Sequence, residues 1–263
     1  MTLYEDSISN AMRIYTEGRL VAFKSISQAA YLIRYFRYLG KPEEEIKVYI
    51  ERLFYNIYGV PSRPDMSIYY NKSAKYADRL SPLEYISVGF TKAELDYIHS
   101  LDNIYGEIFV FCVLVAYKYK VATKQDAKFD VLWDDAIKPT MVGLKTLFGS
   151  RINFNNKVNE FIRTNDCVRT RIFKNKDIVS IDDELLSLDD GNYILTIDSF
   201  IDVAYYYIEY LGLMKFFRCE NCGCIFPKPR ANVKCCKPCA RRVHIIKVGE
   251  NKARFKTQNV KNP

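Results

Sequence analysis

The residues best suited to chemistry lie late in the chain: Cys219-Glu220-Asn221-Cys222-Gly223-Cys224 and, after the thirteen residues from Gly223 to Cys235, Cys236-Lys237-Pro238-Cys239. Two C-x2-C pairs separated by a short loop read as a zinc site. Each pair on a tight turn points two sulfurs at one place, and zinc takes four thiolates tetrahedrally. Gly223 has no Cβ and reaches the positive φ that such a turn needs. The expected ligands are Cys219, Cys222, Cys236 and Cys239. Cys236 is preferred to Cys235 because it alone forms a C-x2-C with Cys239. Cys224 is expected to face away, and a Cys219/Cys222/Cys239 set completed by His244 is the alternative. Four thiolates close the site to water, so the expected cofactor is a structural Zn2+ rather than a catalytic one.

The same segment is strongly basic. From Lys215 onward there are 13 Lys/Arg against Glu220 and Glu250, a formal +11, so that a chain of net charge +8 leaves −3 for everything before it. This asymmetry predicts a polyanion partner for the C-terminal module, with Lys228, Arg230, Lys234, Arg241 and Arg242 as phosphate contacts around the metal. Lys252, Arg254, Lys256 and Lys261 form a weaker electrostatic arm in a polar tail.

No other set of residues amounts to a catalytic site, and the expectation is a protein that is not an enzyme. There are two histidines, His99 and His244. Gly143-Leu144-Lys145-Thr146 lacks the upstream glycine of a phosphate-binding loop. The pairs Asp134-Asp135 and Asp182-Asp183 are adjacent, so their carboxylates point in different directions on a helix or strand. Pro64-Asp65 resembles the start of a metal-dependent nuclease motif, but no Glu-x-Lys follows at a useful distance, and it reads as a turn.

The elements that must position these residues follow from periodicity. A chain of 263 residues with 49% hydrophobic content has ample material for a packed core. A helix around Tyr4 to Tyr15 precedes a helical pair. In the pair Ile26, Ala29, Ala30, Ile33, Phe36 and Leu39 recur at helical spacing up to Gly40, and Pro42 then opens a second helix through Ile57. Arg34, Arg37 and Arg52 read as a solvated face rather than a phosphate-binding one. Val60 to Pro82 is a proline-containing linker with one short helix near Lys72 to Arg79. The start at Met1 lacks the basic and apolar sequence of a signal peptide, and the run from Ile104 to Tyr117 is too short to span a bilayer. The expected location is cytoplasmic, with no membrane partner, and there paired cysteines mean metal rather than disulfide.

The middle of the chain starts a helix with the capping box Thr91-Lys92-Ala93-Glu94 and continues with the very apolar Ile108 to Tyr119, the expected central helix. Helical patterns follow at Phe129 to Ile137, Thr140 to Phe148 and Phe154 to Thr164. Val168 to Phe173 then alternates as a strand and is expected to pair with Tyr193 to Ile197 across a long acidic loop. Helices followed by a hairpin give the order of a winged helix-turn-helix. Phe154 to Thr164 would be its recognition helix, exposing Asn155, Asn156, Lys157, Asn159 and Arg163, with Arg169, Arg171, Lys174 and Lys176 on the wing. Asp198 or Ser199 is expected to cap a last helix, Phe200 to Leu211, whose Tyr205-Tyr206-Tyr207 packs inward.

The fold class is therefore mainly α with a small β-hairpin: a helical N-terminal domain with linker (1–88), a winged-helix-like domain (89–213), a four-cysteine zinc ribbon (214–250) and a basic tail (251–263). The FTKAEL helix start, the apolar helix ending in Tyr119-Lys120, YYYIEYLG and the terminal cysteine pattern resemble uncharacterised proteins of Gram-positive bacterial phages and mobile elements that end in a zinc ribbon. The likeness covers roughly residues 89 to 242. Those proteins place an aromatic before the third ligand, where this chain has Cys235. The resemblance implies a phage or mobile-element origin and no particular activity. The expected function is nucleic-acid binding through the basic ribbon, with DNA or RNA as partner. The alternative is a phage accessory factor that binds and inhibits a host protein or a defence ribonucleoprotein.

Overall fold

The computed structural model describes residues 8–58, 65–80, 85–123, 130–150, 153–173, 175–200, 202–221, 223–227, 232–237 and 239–241. These are mainly helical with small antiparallel sheets, and they divide into two compact units. One is Glu84–Phe217 with Ile225–Pro229; the other joins Asp6–Leu83 to the described residues of Arg218–Cys224 and of the chain from Arg230. Among the described residues no helix is long and apolar enough to cross a membrane.

In the second unit α1 (Ile8–Glu17), α2 (Ser25–Tyr38), α3 (Glu43–Tyr58) and α4 (Met66–Ala77) bury Ile14, Leu32, Ile33, Ile46, Ile50 and Phe54. Gly40, at φ +70°, turns the chain between α2 and α3. Three acidic residues open α3 at the positive end of its dipole. Two expectations are corrected here. Arg34 is buried within α2 rather than solvated. The short helix starts well before Lys72: α4 begins at Met66, where the Asp65 side chain accepts from Ser67 N at 3.0 Å and caps it, while Pro64 lies outside the described residues. Arg37 bridges Glu43 and Asp78, each at 2.7 Å, so that its charge serves the helical unit.

The first unit is built around α6 (Ile104–Ala122), in which every residue from Gly106 to Ala116 is buried. It begins at β1 (Val88–Thr91), and both halves of the Thr91/Glu94 capping box are formed at the start of α5 (Lys92–His99). After α6 come β2 (Asp130–Leu132), α7 (Trp133–Phe148), α8 (Phe154–Thr164), β3 (Val168–Phe173) and β4 (Lys176–Ile181). α7 runs unbroken through Pro139, although a proline inside a helix costs about 3 kcal/mol. It therefore joins two patterns that the sequence shows separately. The chain continues through α9 (Asp183–Leu186), β5 (Tyr193–Ile197) and α10 (Ala204–Tyr210) to β6 (Phe216–Arg218) and β7 (Ile225–Pro227).

Strand pairing differs from the expectation. β3 pairs with β4 rather than with Tyr193 to Ile197, in a three-stranded antiparallel sheet ordered β2-β4-β3. Phe173 faces Lys176 across a two-residue turn in which Asn175 takes φ +59°, a conformation asparagine tolerates. A turn this short closes at little entropic cost, and it outcompetes a partner about twenty residues away. β5 pairs with β1 instead, where the Tyr193 ring lies over Gly89 in space that a Cβ would fill. The last helix is also shorter than expected: α10 starts at Ala204 with no side-chain cap. Asp198 accepts from Tyr206 Oη at 2.6 Å, and the buried Tyr205, Tyr206 and Tyr207 pack inward. Tyr205 stacks on Phe216 at 4.4 Å, and Phe216 N donates to Glu209 at 3.2 Å, which anchors β6 to α10.

α6 and α8 cross at Gly106, where an added Cβ would stand 2.2 Å from the ring of Phe161. That ring is itself buried and has no room to yield. Alanine would gain about 1 kcal/mol of helix propensity and lose about 1–3 kcal/mol to overpacking. Gly106→Ala is expected to lower the urea midpoint; a raised midpoint would show that the crossing has slack.

Candidate functional site

The three described members of the expected ligand set converge. The Sγ atoms of Cys219, Cys236 and Cys239 all lie within 4.8 Å of one another, and their residues are 3%, 5% and 1% exposed. Sulfurs around a tetrahedral zinc stand about 3.8 Å apart, so this spacing fits the chemistry. Cys222, the fourth expected ligand, and His244, its alternative, lie outside the described residues.

Local backbone order explains the convergence. Gly223, at φ +69°, donates to Cys219 O at 2.8 Å, and Cys219 N donates to Cys224 O at 2.9 Å. The first cysteine thus sits on a closed turn immediately after β6. Glu220 N donates to Lys234 O at 3.2 Å, bringing the approach to the second pair alongside the first, and Ala240 N donates to Cys236 O at 2.9 Å in a helical turn. Cys236 and Cys239 lie three apart, on one face of that turn. Cys224 and Cys235 are half-buried and stand outside the three-thiol group. Buried thiols this close can be ionised together only with a cation among them, and a sulfur-only set selects a soft or borderline metal.

The remaining cysteines are not built for reaction. Burial pushes the Cys112 thiol up to about 12 and that of Cys167 up to about 11. Neither is a thiolate at neutral pH, which nucleophilic attack requires.

Of the expected phosphate contacts, Lys234 and Arg241 are exposed, and Lys234 lies 3.5 Å from Glu220. Lys228, Arg230 and Arg242, as well as Lys174 and the tail from 251, lie outside the described residues. On α8, Phe154, Val158 and Phe161 are buried while Asn155, Asn156, Lys157, Asn159 and Arg163 are exposed. Lys157 pairs with Glu160 at 3.3 Å. Arg169 and Arg171 are exposed on β3 but share a surface hollow with Asp166, Asp182 and Asp183. This hollow therefore carries no excess of positive charge, unlike the cysteine segment.

Two polar clusters were not visible in the sequence. Lys118 contacts Glu94, Asp189 and Gly89 O, while His99 Nδ1 lies 3.1 Å from the buried Glu107, which also accepts from Tyr207 at 2.9 Å. Burial, then the charge of Glu107, holds the Tyr207 hydroxyl well above its ordinary pKa, and it stays a donor. Both clusters join residues far apart in the chain, so spacing carries no sign of them. Lys145, exposed on α7 beside α8, was missed for the same reason.

Comparison of the chain with protein-family models, with curated proteins and with solved structures finds no match.

Proposed function

We propose that this is a zinc-containing nucleic-acid-binding protein of phage or mobile-element type, whose basic ribbon holds phosphates while a winged-helix-like middle domain helps to position the nucleic acid. The observation that carries the reading is three buried thiols within 4.8 Å, set in the segment that bears a formal +11. Zinc is favoured because a closed thiolate set suits it and offers no open position for catalysis. Reduced cysteines of this kind suit the cytoplasm. The winged-helix reading is supported by the order α6-β2-α7-α8-β3-β4 and by the central place of β4 between β2 and β3. In that arrangement α8 is the recognition helix and the β3–β4 turn is the wing.

One observation favours the second reading, a phage accessory factor that binds and inhibits a host protein or a defence ribonucleoprotein. The acidic residues beside Arg169 and Arg171 discourage phosphate at the hairpin and suit a protein surface there. Salt dependence separates the two. If Lys228, Arg230, Lys234, Arg241 and Arg242 contact phosphate, about five contacts give a slope near −4 to −5 in a plot of log affinity against log salt. Neutralising those five is expected to abolish binding while the metal stays bound. Failure to bind duplex DNA, single-stranded DNA or RNA at low salt would move the function to a protein target.

A further inference from the structure

We infer that α8 reads adenines in the major groove of B-form duplex DNA, with Asn155 and Asn159 as the base-contacting residues; the inference rests on the nucleic-acid reading above. At about 100° per residue, Asn155, Asn159, Arg163 and Asn156 fall within an arc of about 100°. Phe154, Val158 and Phe161 face the core on the other side of the helix. Among the described residues the side chains of these four have no partner. Asparagine is a poorer helix former than lysine, glutamate or glutamine, and three exposed asparagines close together weaken α8 by a few tenths of a kcal/mol each. Nothing among the described residues compensates for this choice, as expected for residues selected for what they bind.

The chemistry matches one base. An asparagine amide offers a donor and an acceptor in one plane and pairs bidentately with adenine N7 and N6, as arginine does with guanine N7 and O6. Asn155 and Asn159 are separated by about 6 Å along the axis, close to two base steps of about 3.4 Å, and Arg163 is as far again. Trp133 and Met141 of α7 line the groove beside these two asparagines, where they offer an apolar surface to the thymine methyl of an A·T pair. Charge is favourable too. Lys157 is matched by Glu160 at 3.3 Å and Lys138 by Asp134 at 2.7 Å, while Lys145 and Arg163 have no ion-pair partner among the described residues and are left for the flanking phosphates. An RNA duplex does not suit this face, because its deep, narrow major groove does not admit a helix.

The test uses the full-length, metal-loaded protein and short duplexes selected from a random pool, each also made with 7-deazaadenine, which lacks the N7 acceptor. The selected site is expected to contain adenines two base pairs apart, and each 7-deaza replacement should weaken binding about 5- to 150-fold. Asn155→Ala/Asn159→Ala should bind the ordinary duplex at least as weakly as the unaltered protein binds the modified one, since it loses the contact to N6 as well as that to N7, and should no longer distinguish the two. Duplex binding without sequence preference, indifferent to 7-deazaadenine, would overturn the inference and leave the nucleic-acid reading standing. Tighter binding of RNA or single strands than of duplex would do the same. Binding to no nucleic acid would remove both.

Discussion

Full-length protein carrying Cys239→Ser is expected to purify without the zinc proposed for the cysteine cluster and with the C-terminal module unfolded. Structural zinc in small modules contributes an apparent 10–16 kcal/mol, roughly, and most of it is folding free energy, because the thiolates are brought together only when the metal binds. This exceeds any packing term elsewhere in the chain. Elemental analysis should give one zinc per unaltered chain, and limited proteolysis of the variant should cut soon after Arg218 while the core around α6 keeps its melting transition. Cys222→Ser should behave in the same way, whereas Cys224→Ser and Cys235→Ser should keep the metal. Acid should release it, since protons compete for the thiolates. A Cys222→Ser/Cys239→Ser protein with a full complement of metal would refute the ligand assignment.

The choice of Cys236 over Cys235 came from spacing alone, and it is Cys236 that joins the three-thiol group. Other local signals were equally legible. The turn at Gly40, the capping box at Thr91 and Glu94, the buried α6 and the apolar face of α8 each depend on residues within a few positions of one another. Pairing of β5 was not legible. Its partner β1 lies about a hundred residues earlier, and nothing near Tyr193 shows that its ring must cover Gly89. Arg34 failed for a related reason: a charged residue in a helix reads as solvated, and only the packing of the neighbouring helices decides otherwise. The nearer partner of β3 was present in the sequence, since Ile178, Val179 and Ile181 follow an asparagine turn, but the acidic residues beyond them masked the strand.

The largest effect expected away from the cysteine cluster is at Lys118, which looks in sequence like one more surface lysine at the end of α6. Its side chain is only 11% exposed, and Nζ lies 2.8 Å from Gly89 O, 2.9 Å from Glu94 Oε2 and 2.6 Å from Asp189 Oδ2. It also stands 5.1 Å from the ring centre of Phe90 and 5.3 Å from that of Tyr193. One ammonium thus ties α6 to β1, to the capping carboxylate of α5 and to the turn before β5. Glu94 is fully buried and also accepts from Thr91 N at 2.9 Å, so it cannot turn to water if the lysine is lost. Lys118→Met keeps the apolar stem and leaves a buried carboxylate without its cation, a loss of about 3–5 kcal/mol. Adding Glu94→Gln should restore part of it, because the second substitution removes the stranded charge. Acid gives an independent check. Burial raises the pKa of Asp189, but the hydrogen bond from Lys118 and that from Gly191 N outweigh it and hold the carboxyl below its ordinary range. A depressed folded-state pKa stabilises above the unfolded value of about 3.9, and the contribution disappears as pH falls through the folded one. Urea titrations should therefore show the gap between unaltered protein and Lys118→Met narrowing below about pH 4. An equal gap at neutral and acid pH would mean that the ion pair of Lys118 with Asp189 contributes nothing to it.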